Sequence, residues 1–436
     1  MPAEEHEQGE VIVAKREEQQ GAPVSIEIKP VQWRIKIDDL PIAVFREILS
    51  VRDLVLLSMS SKQVHSWCEQ ALGSKRRFVD EPVKAITNCP SIDSIQWTNR
   101  SAKSLNDAIV FNVLASLPTL TSLVLSDLDC ITDAAFEQLP TRSLKRLELR
   151  NMRNISNKCF SFVSSEQLSF LAIERCRFIT EEGIVPLIGP QLEQIQLKSF
   201  TMLSNDVAIH EIRTICQSSL RVIDVSNSKL EFLFLAGCTG FHQLEQIDVN
   251  YTTCRDEDIE ELSRGSSWRS LKRFTLNGCD FISDIALGFF PSSLVHLNLS
   301  QTSVSDIGME VLVERCPRIE CLFLGGCFQI TSKSIQLVAL NLLRLREFGF
   351  SYSYQVDDEG VDALRSRFGL KKLSLIQCGR VSADSISRLI QSLSTLSTVA
   401  CTLPSSQEVE TVRRSRHGPC TAVEGVQAGD WLFVFG

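Results

Sequence analysis

One arrangement of apolar residues recurs along most of the chain. An apolar residue is followed by two variable positions, a second apolar residue, one variable position and a third apolar residue, here numbered positions 1 to 6. Because positions 4 and 6 alternate with a variable position 5, each copy predicts a short β-strand with one buried face. The clear copies begin at Leu120, Leu144, Leu168, Leu192, Leu220, Leu244, Leu271, Leu294, Ile319, Leu345 and Leu370, and a degenerate copy begins at Ile92.

The second half of each copy carries apolar residues at helical spacing, as at Met309, Leu312 and Val313. Successive clear copies start 23 to 28 residues apart, which matches the period of leucine-rich repeats, about 20–29 residues. One strand and one helix cannot bury an apolar face by themselves, so the units must stack. The predicted fold class is therefore an α/β horseshoe solenoid of about eleven to twelve leucine-rich repeats, with parallel strands on the concave face and helices outside.

Four repeats carry a cysteine at position 9, just after the predicted strand, in the similar turns CRFIT, CDFIS, CFQIT and CGRVS. These repeats resemble the cysteine-containing subclass of leucine-rich repeats. A thiol at such a turn is expected to act as a small buried hydrophobe with a weak S–H donor. The four residues are Cys176, Cys279, Cys327 and Cys378.

Residues 37–72 predict three short helices ahead of the repeats. Asp39 is a candidate N-cap, and Pro41 fits the first turn of a helix, where its missing N–H costs little. Val44, Phe45 and Ile48 then share one face at helical spacing. Three short helices with this much apolar surface need a partner, or the adjacent solenoid, for stability.

The same segment resembles an F-box, through its LP start, an apolar first helix, the run Arg52-Asp53-Leu54 and the run Ser61-Lys62. In that family the apolar positions bind a Skp-type adaptor, which connects the protein to a cullin scaffold. An F-box directly ahead of cysteine-containing leucine-rich repeats makes the resemblance more specific than either part alone. It implies that the adaptor-binding residues are Leu40, Pro41, Val44, Ile48, Leu49, Leu54, Leu57 and Trp67.

The segment departs from the F-box pattern at one point. Only Ser50 and Val51 separate Leu49 from Arg52, where the family usually has a few more residues, including a bulky apolar one. The first two helices would therefore meet through an unusually tight turn. An alternative stays open, in which residues 37–72 only cover the open apolar end of the solenoid.

The rest of the chain divides by composition and by the limits of the repeats. Residues 1–35 are rich in Glu and poor in apolar side chains, which indicates a disordered acidic segment. An F-box-like domain at 36–80 and a connecting or capping segment at 81–118 precede the repeats at 119–401. Residues 402–436 break the repeat pattern. A flexible tail is the default expectation there, and a segment folded back into the horseshoe is the alternative.

The chain has 436 residues, of which 45 are Lys or Arg and 53 are Asp or Glu, so its formal net charge is −8. This balance disfavours general nucleic-acid binding, which requires basic surface. The start of the sequence lacks the layout of a signal peptide, and no stretch is long and apolar enough to span a bilayer. We therefore expect a protein of the cytoplasm, the nucleus or both, with its 15 cysteines reduced and no membrane partner.

Catalytic motifs are missing from the sequence. It contains no nucleotide-binding glycine loop, no G-x-S-x-G elbow and no C-x-x-C pair. No nucleophile, base and orienting group occur together, so we expect a chain without catalytic residues and without cofactors. A metal site at Cys316, Cys321 and Cys327 is disfavoured, because a strand position and a turn position should point apart.

The variable positions 2, 3 and 5 of each strand face the inner curve, which is the binding surface of a solenoid. They carry both signs of charge, which suits a protein ligand better than a polyanion. Aromatic and arginine residues are the usual anchors of protein interfaces, and Phe170 and Phe323 are expected to be exposed here. The candidate substrate-binding residues are Arg146, Phe170, Arg221, Tyr251, Arg273, His296, Phe323, Arg346 and Tyr352.

These features predict the substrate-recognition subunit of an SCF (Skp–cullin–F-box) ubiquitin ligase, which binds a target protein on the concave face for ubiquitination and proteasomal degradation. The chain would position the target, and other subunits would supply the chemistry. The alternative is a leucine-rich-repeat scaffold or an inhibitor-type protein-binding module without a connection to ubiquitin.

Overall fold

The part of the chain that the computed structural model describes begins at Arg77. The helices expected in the F-box-like segment, and the adaptor-binding residues from Leu40 to Trp67, lie outside the described residues. The described residues are 77–79, 93–98, 105–137, 139, 143–200, 203, 208–230, 234–403, 405–415, 420–424 and 430–435.

The strands form one sheet of 16, in which strands β1 to β14 lie side by side in chain order and are all parallel. Equivalent positions of successive repeats pair, as Leu123 with Leu147 and Leu125 with Leu149. This register confirms the leucine-rich-repeat solenoid. The parallel strands are β1 (Arg77–Val79), β2 (Ser94–Trp97), β3 (Ser122–Ser126), β4 (Arg146–Arg150), β5 (Phe170–Glu174), β6 (Gln194–Lys198), β7 (Val222–Asp224), β8 (Gln246–Asp248), β9 (Arg273–Thr275), β10 (His296–Asn298), β11 (Cys321–Phe323), β12 (Glu347–Gly349), β13 (Lys372–Leu375) and β14 (Thr398–Thr402).

Two of these strands precede the clear copies of the repeat. Strand β2 belongs to the degenerate copy that begins at Ile92, and it pairs in register with β3. Strand β1 pairs with β2 and extends the sheet by one strand that the apolar pattern did not predict. It lies at the end of the range 36–80 that the sequence assigned to the F-box-like domain.

The second half of each repeat is helical, but the kind of helix depends on repeat length. Repeats of 25 to 28 residues contain an α-helix of six to ten residues, whereas repeats of 23 or 24 residues contain no α-helix longer than four. A 3₁₀ segment rises about 2.0 Å per residue, against about 1.5 Å in an α-helix, so it spans the outer side with fewer residues.

No helix in the described part of the chain is long and apolar enough to cross a membrane. The α-helices are α1 (Asp107–Ala115), α2 (Glu181–Ile184), α3 (Ala208–Cys216), α4 (Asp256–Ser263), α5 (Asp284–Leu287), α6 (Asp306–Arg315), α7 (Ser332–Asn341), α8 (Asp358–Ala363), α9 (Ala383–Ser392) and α10 (Ser406–Arg413). The 3₁₀ segments are Asp133–Phe136, Asn157–Phe162, Val185–Leu187, Phe234–Gly240, Ser266–Ser270 and Leu364–Ser366.

The residue at position 8 turns the chain from the strand towards the helical layer. In the eleven clear repeats its φ is positive, between 49° and 74°. Its backbone N–H continues the hydrogen-bond ladder to the next repeat, as from Tyr251 to the Asn277 carbonyl at 2.7 Å. Nine of these residues are not glycine, so the ladder holds a backbone conformation that such residues disfavour. They are Asp127, Asn151, Arg175, Ser199, Asn227, Tyr251, Gly278, Gln301, Gly326, Tyr352 and Gln377.

The four cysteines at position 9 connect neighbouring repeats beneath this turn. All four are buried, and each Sγ donates to the position-6 carbonyl of the preceding repeat, at distances from 2.9 Å (Cys327 to Leu299) to 3.5 Å (Cys176 to Leu149). Burial raises the pKa of the Cys176 and Cys378 thiols to about 11, so they remain protonated donors at neutral pH. The expected role as a buried, weak donor is therefore confirmed.

A carboxylate ladder connects the helix starts of neighbouring repeats. An aspartate in the first helical turn of one repeat accepts hydrogen bonds from the backbone N–H and the hydroxyl of the Ser or Thr that caps the next repeat's helix, at 2.5–3.0 Å. Negative charge at a helix start is stabilising, and the bonds satisfy donors there. The apolar pattern did not predict this ladder. Its pairs are Asp107–Thr132, Asp133–Ser156, Asp256–Ser283, Asp284–Ser305, Asp306–Thr331 and Asp358–Ser382.

The end of the chain extends the sheet instead of forming a flexible tail. Strands β15 (Cys420–Glu424) and β16 (Asp430–Phe435) make an antiparallel hairpin, and β16 pairs antiparallel with β14. Phe433 and Phe435 are 0% and 6% exposed, and Phe433 lies opposite the buried Val399 of β14. A last repeat leaves an apolar face open, and the hairpin adds two buried rings at that end.

Removal of one rung of the carboxylate ladder should destabilise the solenoid. Asp306 accepts bonds from the Thr331 N–H and hydroxyl and from the buried Ser334 hydroxyl. Asp306→Ala leaves these donors without their acceptor, so we expect the free energy of unfolding to fall by about 2 kcal/mol in urea denaturation.

The matched control for this experiment is Asp384→Ala. Asp384 is an exposed residue in the first turn of α9, and in the described part of the chain it accepts no bond from a following repeat. The interactions lost are those with the helix dipole and with the charge of Arg388 on the same helix, so we expect a decrease below about 1 kcal/mol. Equal losses for the two variants would contradict the role assigned to the ladder.

Candidate functional site

The centre of the concave face contains a hollow of about 290 Å³, lined by side chains of five neighbouring repeats. Parallel register places equivalent positions of neighbouring strands in rows about 4.8 Å apart, so residues far apart in sequence share one surface. Of the candidate substrate-binding residues, Arg221, Arg273 and His296 come together at this hollow, next to Glu245 and Lys272.

Glu245 is the centre of an ion-pair network on this surface. Its carboxylate oxygens accept from the Arg221 guanidinium at 2.5 Å and from the Lys272 ammonium at 2.9 Å, which belong to the repeats on either side. These hydrogen bonds, from Lys272 and Arg221, hold the pKa of the Glu245 carboxyl below its usual range. Arg221 and Lys272 therefore both have an ion-pair partner within the protein, and the single carboxylate of Glu245 offsets one of their two positive charges.

Arg273 differs from its neighbours because it makes no ion pair within the described part of the chain. Beside it, burial, and secondarily the Arg273 charge, lower the pKa of His296, so this imidazole is neutral at neutral pH. The hollow thus offers an unpaired guanidinium and a neutral imidazole. Both can donate hydrogen bonds to carboxylates or peptide carbonyls of a bound protein.

Four of the other candidates lie in two further places, and Arg146 and Phe170 lie together in a third, on β4 and β5. Arg346 pairs with Glu320 at 3.3 Å, and Phe323 lies half-buried on β11, both towards the C-terminal end of the concave face. Tyr251 and Tyr352 occupy position 8, beyond the strand ends, and are 49% and 36% exposed. The nine candidates therefore divide among separate patches and do not form a single site.

Phe170 is not the exposed anchor that the sequence predicted. It is only 8% exposed, because the guanidinium of Arg146 lies over its ring, with the guanidinium carbon 3.6 Å from the ring centroid. The same guanidinium donates from Nε to Glu148 at 2.6 Å. The Arg146 guanidinium therefore covers the Phe170 ring and is held in place both by that ring and by the Glu148 carboxylate. A ligand on the concave face would meet Arg146 and not Phe170.

A second hollow, of about 470 Å³, lies around Glu148 on the first strands of the concave face. Glu148 is 3% exposed and pairs with Arg146 and, at 2.6 Å, with Arg150. Arg150 was not among the candidates because it is position 7 of its repeat, one residue beyond the six-residue pattern. The signal for it was the alternation along β4, since residues 146, 148 and 150 share one face of the strand.

No group of three His, Cys, Asp or Glu side chains in the described ranges lies close enough to hold a metal ion. Of the cysteines considered for such a site, Cys321 lies on β11, while Cys316 and Cys327 donate to the carbonyls of Pro291 at 3.4 Å and Leu299 at 2.9 Å. Burial raises the pKa of Cys316 to about 12 and that of Cys321 to about 11, which disfavours the thiolate that a metal requires.

No protein-family model matches the chain. Solved structures with a similar chain include the crystal structure of the Rad7 and Elc1 complex in yeast, at 17% sequence identity over 82% of this chain and 86% of that chain, with a TM-score of 0.48. Another is an internalin from Listeria monocytogenes, at 15% identity over 83% of this chain and 92% of that chain, with a TM-score of 0.44. Both likenesses are distant, and the fold assignment rests on the repeat geometry of this chain.

The pKa of His296 should lie below the usual histidine value of about 6.5. Arg273→Gln removes the nearby positive charge and should raise this pKa, while burial continues to hold it below the usual value. An NMR titration of the imidazole measures both values. Arg150→Gln, which removes a guanidinium from the far end of the same face, is the control and should change nothing. A decrease of the pKa in Arg273→Gln would contradict the arrangement.

Proposed function

We propose that the chain is the substrate-recognition subunit of an SCF ubiquitin ligase and binds a target protein on its concave face. The observation that supports the protein-binding part is the continuous parallel sheet, whose inner face presents charged, polar and aromatic side chains in rows. An extended surface of mixed charge fits another protein better than a small molecule, which prefers an enclosed apolar cavity. Arg273, unpaired at the centre of this face, is the first anchor we assign.

The ligase part of the proposal depends on the sequence ahead of the repeats. The F-box resemblance at 37–72 assigns Leu40, Pro41 and the apolar residues that follow to a Skp-type adaptor, and through it to a cullin scaffold. Short helices with exposed apolar faces are common elements of such docking contacts. The repeats then supply the second contact, with the target.

The proposed mechanism is positioning. With one end held by the adaptor, the concave face would keep the target near a ubiquitin-charged enzyme and raise the effective concentration of the target's lysines. The chain itself would take no catalytic step and need no cofactor. The proposed place of action is the cytoplasm, the nucleus or both.

Co-expression with the Skp-type adaptor tests the ligase part. We expect the full chain to co-purify with the adaptor in equal amounts, and the double variant Leu40→Ala, Pro41→Ala to lose it, because the docking contact loses its first apolar residues. The matched control is Leu340→Ala with Leu343→Ala, which removes two leucines that are 70% and 71% exposed elsewhere. Absence of the adaptor from folded, unaltered chain would favour a scaffold or an inhibitor-type module instead.

A charge reversal tests the concave face separately. Arg273→Glu should lower the affinity for the target by about fivefold or more, since a central interface arginine typically contributes over about 1 kcal/mol. Adaptor binding should stay unchanged. Quantitative mass spectrometry of proteins that co-purify with the chain measures the effect, with Arg344→Glu, an exposed arginine in the loop before β12, as the control. Equal recovery of the target protein with the Arg273→Glu and Arg344→Glu variants would contradict a central role for Arg273.

A further inference from the structure

A pocket of about 460 Å³ lies at the edge of the sheet, beyond the strand ends. It is built from four consecutive repeats, which contribute residues at positions 8 to 10. No Lys or Arg lines it, and the carboxylate of an aspartate is its one formal charge. The lining residues that matter here are Asp280, Gln301, Gly326, Phe328, Tyr352 and Tyr354.

The pocket is open because Gly326 has no side chain. Its φ is +74°, but nine other repeats place a non-glycine residue in the same backbone conformation, so the fold does not demand glycine there. A Cβ at Gly326 would lie 3.1 Å from the Cγ of Gln301. Because Gly326 lines the pocket, we expect a longer side chain at this position to occupy part of it.

Two exposed aromatic rings form one wall. Phe328 and Tyr354 are 63% and 54% exposed, and their rings are parallel within 3°, with centroids 6.2 Å apart. Asp280 is an exposed lining residue whose carboxylate makes no ion pair within the described part of the chain. Aromatic faces and an unpaired carboxylate both attract a cation.

The same edge of the molecule already shows such contacts within the chain. The guanidinium carbon of Arg255 lies 4.4 Å from the ring centroid of Phe281, and that of Arg177 lies 4.8 Å from the ring centroid of Phe178. Phe178 and Phe281 lie two residues after position 9 of their repeats, and Phe328 lies one residue after it. Among the described residues, no arginine or lysine lies over Phe328 or Tyr354 in this way.

We propose that this pocket binds an arginine side chain of the partner protein, with its guanidinium against the aromatic wall of Phe328 and Tyr354 and its charge attracted by the carboxylate of Asp280 in the same pocket. The inference rests on the proposed function only in that the chain binds a protein. It adds the kind of residue that is recognised at the edge of the concave face. Arginine fits better than a neutral side chain because it combines a flat cation with several N–H donors.

The test measures binding of a short probe to the full chain. Acetyl-Ala-Arg-Ala-amide and its citrulline counterpart, which has nearly the same shape and no charge, are titrated in saturation-transfer NMR. We expect saturable binding of the arginine peptide and about fivefold weaker binding of the citrulline peptide, as a cation–π contact of about 1 kcal/mol predicts. Equal affinity of the two peptides, or no saturable binding of the arginine peptide, would overturn the assignment.

Two independent variants locate the site. Asp280→Asn removes the carboxylate, and Gly326→Asn fills the pocket with a residue that Asn151 and Asn227 show to be compatible with the same turn. Each variant should bind the arginine peptide only about as tightly as the unaltered chain binds the citrulline peptide. Thermal unfolding confirms that each variant is folded. Unchanged affinity in both folded variants would place the binding elsewhere and overturn the inference.

The control is Asp129→Asn, which changes the aspartate at position 10 of an earlier repeat, where Arg153 lies 3.7 Å away. It should leave the affinity for the arginine peptide unchanged. Adaptor co-purification, measured on the same samples, separates the two proposals. Retained adaptor without arginine binding refutes only the pocket, whereas lost adaptor with arginine binding refutes only the ligase assignment.

Discussion

The structure depends on hydrogen bonds between successive repeats, because no single repeat closes its own core. The strand ladder, the position-8 turn, the cysteine thiols and the aspartate carboxylates all connect a donor in one repeat to an acceptor in a neighbouring repeat. A repeat is therefore folded only in the presence of its neighbours. This explains why the C-terminal end carries a hairpin with buried phenylalanines where the repeat pattern has ended.

The same stacking decides which charges on the concave face are available to a ligand. Neighbouring strands bring opposite charges within reach, as between Lys372 and Glu347 at 2.7 Å, and each such pair is satisfied before a partner arrives. Exposed pairs of this kind add little to stability, but they lower the charge that a ligand meets. Arg273 makes no ion pair with any described residue and lines the hollow at the centre of this face, so its guanidinium remains available for recognition.

The strands within each repeat and the stacking of the repeats could be predicted from the sequence, whereas contacts between particular side chains of two repeats could not. The alternation at positions 4 to 6 predicts each strand, and the period predicts the stacking order. The burial of Phe170 was missed because it depends on Arg146, 24 residues earlier. The carboxylate ladder was missed for the same reason, although Ser or Thr followed by Asp, as at Thr132-Asp133, Ser283-Asp284 and Ser305-Asp306, was a usable signal.

Two glycines at position 8 show how the fold leaves room for recognition. At Gly278 an added Cβ would lie 2.3 Å from the ring of Tyr251 in the preceding repeat, so that ring already occupies the space. At Gly326 the preceding repeat supplies Gln301, whose Cγ is 3.1 Å from the same point, and the space beyond it stays open. The backbone is the same at both sites. What differs is one side chain of the neighbour, so a binding pocket can be opened or closed along this edge without a change in the solenoid that carries it.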